Sequence, residues 1–130
     1  MNKQFAIIVA VFFILALPGC QSLLEKYRQE GAVQLTGNEI INMIAGKTFK
    51  TNDYKDSSKI EMFTEDGKLL ELYQDGKVKR EGTWRINDNG NLCKKFSNWP
   101  NEKCPDIYAN GDEFRMFSGT TWKNTYVLIK

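Results

Sequence analysis

Val78-Lys79-Arg80-Glu81-Gly82-Thr83-Trp84-Arg85-Ile86, followed by Asn87-Asp88-Asn89-Gly90-Asn91, is the stretch on which the fold turns. Val78, Arg80, Gly82, Trp84 and Ile86 alternate with Lys79, Glu81, Thr83 and Arg85. A period of two places the two sets on opposite faces of an extended strand. The Asn-Gly pair that follows tolerates the positive φ of a tight hairpin turn. Asn87 to Asn91 also resembles a fragment of a calcium loop, but the downstream Glu such a loop needs is missing. A hairpin turn is the better account.

Working outward, the same grammar recurs. Ile60 and Met62 alternate with Lys59 and Glu61, and Asp66-Gly67, Asp75-Gly76 and Asn110-Gly111 mark three further turns. Ile60, Met62, Leu70, Leu72, Phe114 and Met116 are the expected inward residues of their strands. The pattern predicts a mainly β chain, an antiparallel meander of about seven or eight short strands. A meander that long leaves two unpaired edges unless it curls, so the expectation is a small barrel, with a two-sheet sandwich as the other solution. Upstream, Thr36-Gly37-Asn38-Glu39 fits a capping box, Ile40, Met43 and Ile44 share one helical face, and Gly46 ends the run. One short N-terminal helix is therefore expected to pack on the sheet.

The first twenty residues read differently. Lys3 precedes an apolar run from Phe5 to Leu17, and Leu17-Pro18-Gly19-Cys20 follows. As a helix, 13 apolar residues would span about 20 Å, short of a ~30 Å hydrocarbon core. A signal peptide fits better than a permanent span. Leu-x-Gly-Cys is what bacterial lipoprotein signals look like, with Cys20 becoming the lipidated first residue. Removing the 19 residues before Cys20 leaves 111 of the 130. The expected organisation is a signal peptide over 1–19, a lipidated Cys20 with a tether over 20–34, and a barrel domain over 35–130. Gln21 stands where an inner-membrane lipoprotein typically has aspartate. The expected location is therefore the cell envelope, at the periplasmic face of the outer membrane.

Three cysteines occur, Cys20, Cys93 and Cys104. In an oxidising compartment Cys93 and Cys104 can pair, worth roughly 2–3 kcal/mol for so short a loop, which leaves Cys20 for acylation. Zinc ligation is the rival use, but two thiolates in a chain without histidine make a poor metal site. No metal and no cofactor are expected.

Lys+Arg number 18 against 16 Asp+Glu, a balance that makes no electrostatic case for nucleic acid. Without histidine the commonest general base is missing, together with every Ser-His or Cys-His arrangement. Glu65, Asp66, Asp75, Asp88, Asp112 and Glu113 fall at or beside turns, where acids serve turn formation and solubility, so catalysis is not expected, although two carboxylates from separate strands could meet in space. The suggestive feature is the aromatic content. Trp84, Trp122 and Phe114 are expected to fill the interior. Phe63, Tyr73 and Phe117 lie on the faces opposite their strands' expected core residues, and Trp99 sits at the tip of the Cys93–Cys104 loop. Phe63, Tyr73 and Phe117 form one candidate partner or ligand surface, and the stapled loop presenting Trp99 is a second.

Gly82-Thr83-Trp84-Arg85-Ile86, Leu92-Cys93, Trp99, Cys104 and Asn110-Gly111-Asp112-Glu113-Phe114 resemble a group of small secreted bacterial proteins, as do Leu35-Thr36-Gly37 and Gly46-Lys47-Thr48. The group is a family of domains of unknown function with a lipocalin-like β fold. The resemblance implies that fold and the Cys93–Cys104 disulfide, and carries no catalytic residue. The leading expectation is a non-enzymatic, membrane-anchored lipoprotein acting as a protein-interaction module, an inhibitor or accessory subunit whose partner is an envelope or host protein. A lipocalin-like carrier of a small hydrophobic ligand is the alternative.

Overall fold

In the computed structural model, which describes residues 21–53, 55 and 57–129, the four turn signals each join neighbouring strands. Gly67, Gly76, Gly90 and Gly111 all adopt positive φ there, and Asn87 accepts the backbone N–H groups of Asn89 and Asn91. That Asx turn confirms the hairpin reading of the calcium-like stretch. The signal peptide and Cys20 lie outside the described residues.

Among the described residues nine strands form: β1 (Val33–Leu35), β2 (Lys47–Asp53), β3 (Ser58–Phe63), β4 (Lys68–Leu72), β5 (Val78–Ile86), β6 (Leu92–Phe96), β7 (Asp106–Asn110), β8 (Glu113–Ser118) and β9 (Thr121–Leu128). They form one antiparallel sheet in the order β1-β7-β8-β9-β2-β3-β4-β5-β6, curled into a half-barrel. The mainly β meander anticipated from the period of two is what the chain forms. Its breaks are informative: β9 returns to pair with β2, while the short β1 adds to the free edge of β7. Between β6 and β7 the chain leaves the ladder over residues 97–105. Lys94 and Lys103 exchange backbone hydrogen bonds across that gap, and the Cys93–Cys104 disulfide staples the same place.

One end of the half-barrel is plugged. Helix α2 (Asn38–Ile44) inserts Ile40 and Ile44, both buried, against Phe49, Phe63, Leu69, Trp84 and Phe114. Phe49 makes edge contacts with Phe63 and Phe114, and Phe114 stacks on Tyr126. The helix is shorter than the capping box suggested. Its N-cap is Gly37, with no side-chain cap, and only Glu39 fulfils its part by accepting the Thr36 N–H at 3.3 Å.

Three expectations need correction. Where a tether was expected, helix α1 (Leu23–Gln29) starts at Ser22, whose hydroxyl caps Glu25 N–H. It docks on the outer face of the sheet through Tyr27, 1% exposed, over Ala32, Tyr108 and Phe117. A tyrosine at that spacing supplies the buried area that a short polar helix otherwise lacks. Trp122, expected inside, packs against this outer cluster. The phase of β3 and β4 is also opposite to expectation: Glu61, Phe63, Leu69 and Glu71 are buried, while Ile60, Met62, Leu70 and Leu72 face out, half-buried. Slipping the phase by one residue exchanges the faces, and here the apolar-looking set takes the outer one.

Candidate functional site

The end of the half-barrel opposite α2 is open, and its interior is charged. Glu61 and Glu71 are Cα partners across β3 and β4, and Glu71 is the partner of Arg80 on β5. Side chains on one face of neighbouring strands meet, so this register carries a polar belt across the sheet. Lys94 on β6 donates to Glu61 Oε2 at 2.8 Å and to Tyr126 OH at 2.6 Å. Tyr126 in turn donates to the same Glu61 oxygen at 2.8 Å. Arg80 binds Glu71 through Nε and lies over the Phe96 ring, 3.8 Å from its centroid. Lys79 approaches the other Glu71 oxygen at 3.7 Å.

These groups are buried: Glu61, Glu71 and Lys94 are all 5% exposed or less. Taking such charges out of water costs several kcal/mol each, and the pairing only roughly offsets it. The network is therefore weak ground for stability. What it does is place fixed, desolvated polar atoms inside a barrel whose other half is hydrocarbon. Burial, and after it the Glu61 carboxylate, push the Tyr126 hydroxyl well above its ordinary pKa. Tyr126 is thus a neutral donor at any physiological pH, committed to Glu61.

Above this floor lies a cavity of about 660 Å³. That is within the ~300–1,000 Å³ of small-molecule sites. Lys59, Lys103 and Lys123 line it with Asp53 and Asp106, and Met116 and Trp99 contribute apolar wall. Trp99 packs edge-on to Phe96 at 5.1 Å, under Lys103 Nζ at 4.2 Å. The cavity is amphipathic, and cations outnumber acids along its lining.

Of the three sheet aromatics expected to be exposed, the fold leaves one at the surface, and the Trp99 loop lies apart from it on the cavity wall. Phe63 is fully buried in the core, because its strand runs in the opposite phase. Phe117 does face away from Phe114 and Met116, but α1 covers it, so it is 1% exposed. Trp99 is half-buried on the cavity wall. Only Tyr73, 51% exposed beside Lys79, is a surface ring. Cys93, Glu102 and Cys104 cluster closely enough to suggest a metal. The two sulfurs are already bonded to each other, and Glu102 holds Arg85 through two bonds of 2.9 and 2.7 Å.

Sequence reasoning missed Glu61, Glu71, Arg80, Lys94 and Tyr126. A signal was present: Glu61, Glu71 and Lys94 each stand two positions from a large apolar residue on their own strand, in Glu61–Phe63, Leu69–Glu71 and Lys94–Phe96, and Arg80 stands four from Trp84, across Gly82. A charge in phase with a core residue on several neighbouring strands marks an internal polar belt. Comparison of the chain with family models, curated proteins and solved structures gives no match.

Proposed function

We propose that this is a lipid-anchored envelope binding protein whose half-barrel holds a small amphipathic ligand bearing a negatively charged group. The cavity carries the reading: its apolar wall would cover the body of the ligand, and its surplus cations would meet the charge. A purely hydrophobic ligand fits less well, since it would strip water from the lining cations Lys59, Lys103 and Lys123 without replacing it. The buried carboxylates raise the question of catalysis. Glu61 is committed to Lys94 and Tyr126, and Glu71 to Arg80 and Lys79, so we read them as the structural floor of the site. Native mass spectrometry of the protein released gently from its own membranes tests this. A reproducible adduct that leaves as an anion on activation, and is lost in Lys59→Glu/Lys123→Glu, is the expected result. A bare mass in every preparation, with no small anionic amphiphile bound on titration, overturns it.

One observation favours a second reading, a protein-interaction module. Ile60, Met62, Leu70 and Leu72 form cross-strand pairs on the outer face, and Leu72 faces Val78, which is 47% exposed. That stripe would be the contact surface, in place of the aromatics first suspected. Met62→Arg abolishing a specific crosslinked partner in the envelope would favour it.

A further inference from the structure

We propose that the open end of the half-barrel faces the membrane and docks on an anionic phospholipid surface, so that the cavity mouth opens onto lipid. The inference rests on reading Cys20 as the lipidated residue.

The first argument is position. Helix α1 runs down the outside of the sheet from the open end to the closed end. Near its C-terminus, Tyr27 donates to Glu113 and Asn110 donates to the Glu30 carbonyl, both at the turn between β7 and β8. At its N-terminus, Ser22 and Leu23 share a groove of about 500 Å³ with Thr120, Thr121, Trp122 and Lys123. Gly119 and Lys123, at the same β8–β9 turn, also line the large cavity. The start of α1 and the cavity mouth are therefore neighbours. Cys20 is two residues before Ser22, and two residues of chain reach at most about 7 Å. Because α1 is packed down, the anchor has no free tether, and the open end is the one it holds against the surface.

Charge provides a second, independent argument. The closed-end segments are 36–46, 64–67, 87–91 and 110–113. They hold six carboxylates, Glu39, Glu65, Asp66, Asp88, Asp112 and Glu113, and no Lys or Arg. The mouth at the open end is lined by Lys59, Lys103 and Lys123 together with Asp53 and Asp106, which is close to balance. An anionic surface therefore repels the first end and leaves the second free to approach. Leu23, 54% exposed, adds an aliphatic side chain at the same pole, beside the half-buried Trp122. An exposed leucine suits the boundary between headgroups and acyl chains.

The three tryptophans make the test internal, since Trp84 bonds the Thr64 carbonyl at the closed end while Trp122 lies at the open one. The mature protein is extracted from membranes and returned to vesicles of phosphatidylethanolamine and phosphatidylglycerol with brominated acyl chains. With Trp122 as sole tryptophan (Trp84→Phe/Trp99→Phe), quenching should be several-fold stronger than with Trp84 alone (Trp99→Phe/Trp122→Phe). Equal quenching, or stronger quenching of Trp84, overturns the proposal. Amide exchange of the unmutated protein on the same vesicles removes any dependence on those variants folding. It should show slowed exchange at 118–123 and none at 87–91, and the reverse pattern overturns the inference. Mass spectrometry of the sample reads acylation of Cys20 separately. If Cys20 is unmodified, the anchor reading fails alone, and orientation is then judged on phosphatidylglycerol vesicles bound by charge. Failure to bind those overturns the docking surface as well.

Discussion

The two ends of this half-barrel solve the same problem, filling the inside of a curled sheet, with opposite materials. At the closed end, Phe49, Phe63, Leu69, Trp84 and Phe114 interlock with Ile40 and Ile44 of α2. Further along the strands toward the open end, inward positions carry Glu61, Glu71 and Arg80, and Lys94, level with Trp84, reaches across to Glu61. Apolar packing at the first end gains free energy from every methylene removed from water. The ion pairs at the second roughly break even. A protein that keeps costly charges where hydrocarbon would fit has put them there for something other than stability.

The largest effects should come from breaking either end, and their rescue should differ. Phe63→Ala is expected to cost ~3–5 kcal/mol in urea unfolding, the loss of a buried ring plus the cavity left behind. Lys94→Ala should cost a similar ~3–5 kcal/mol because it strands the Glu61 carboxylate. Adding Glu61→Leu to Lys94→Met should recover most of that loss, while no second change near Phe63 that lacks comparable volume can. If the apolar pair is as unstable as Lys94→Ala, the belt is a stability device and the contrast between the ends collapses.

A smaller effect separates the open end's wall from its floor. Cys93→Ala/Cys104→Ala should lower stability by roughly 2–3 kcal/mol, since the disulfide closes a loop of sequence separation 11. The loop it staples carries Trp99 and Lys103. Ligand retention should therefore fall in this variant while the near-ultraviolet dichroism of the packed aromatic end is preserved.

The smallest effect is a slope against pH. In the unfolded chain Tyr126 ionises near its ordinary 10.0; in the folded protein burial and Glu61 raise it well above that. The native state thus favours the protonated form. Its contribution is complete below pH 10 and is lost as pH rises toward the folded value. Tyr27, raised by burial and by its bond to Glu113, adds in the same direction. Unfolding midpoints should decline above pH 10, and Tyr126→Phe should flatten the decline. An unchanged slope in that variant would place the alkaline sensitivity elsewhere.

Local chemistry settled much of the architecture in advance. The strand at Val78–Ile86, the four Gly-containing turns, the helix that ends before Gly46 and the pairing of Cys93 with Cys104 are all written in neighbouring residues. Turn geometry and side-chain period act over a few positions and need no knowledge of the rest. Trp84 and Phe114 landed inside for the same reason.

What neighbours could not decide was which face of β3 and β4 looks inward. Ile60, Met62, Leu70 and Leu72 read as a core because they are apolar. Glu61 and Glu71 nevertheless point inward, because Lys94, 33 residues further on, and Arg80 on the adjoining strand wait there for them. Nor could sequence tell that residues 21–34 would dock, since Tyr27 needs Tyr108 and Phe117 to bury against. Period and turn type are properties of the chain, so sequence alone determined the sheet. The charged floor, the covered Phe117 and the pole from which α1 starts depend on partners that only folding brings within reach, and the tertiary structure decided those.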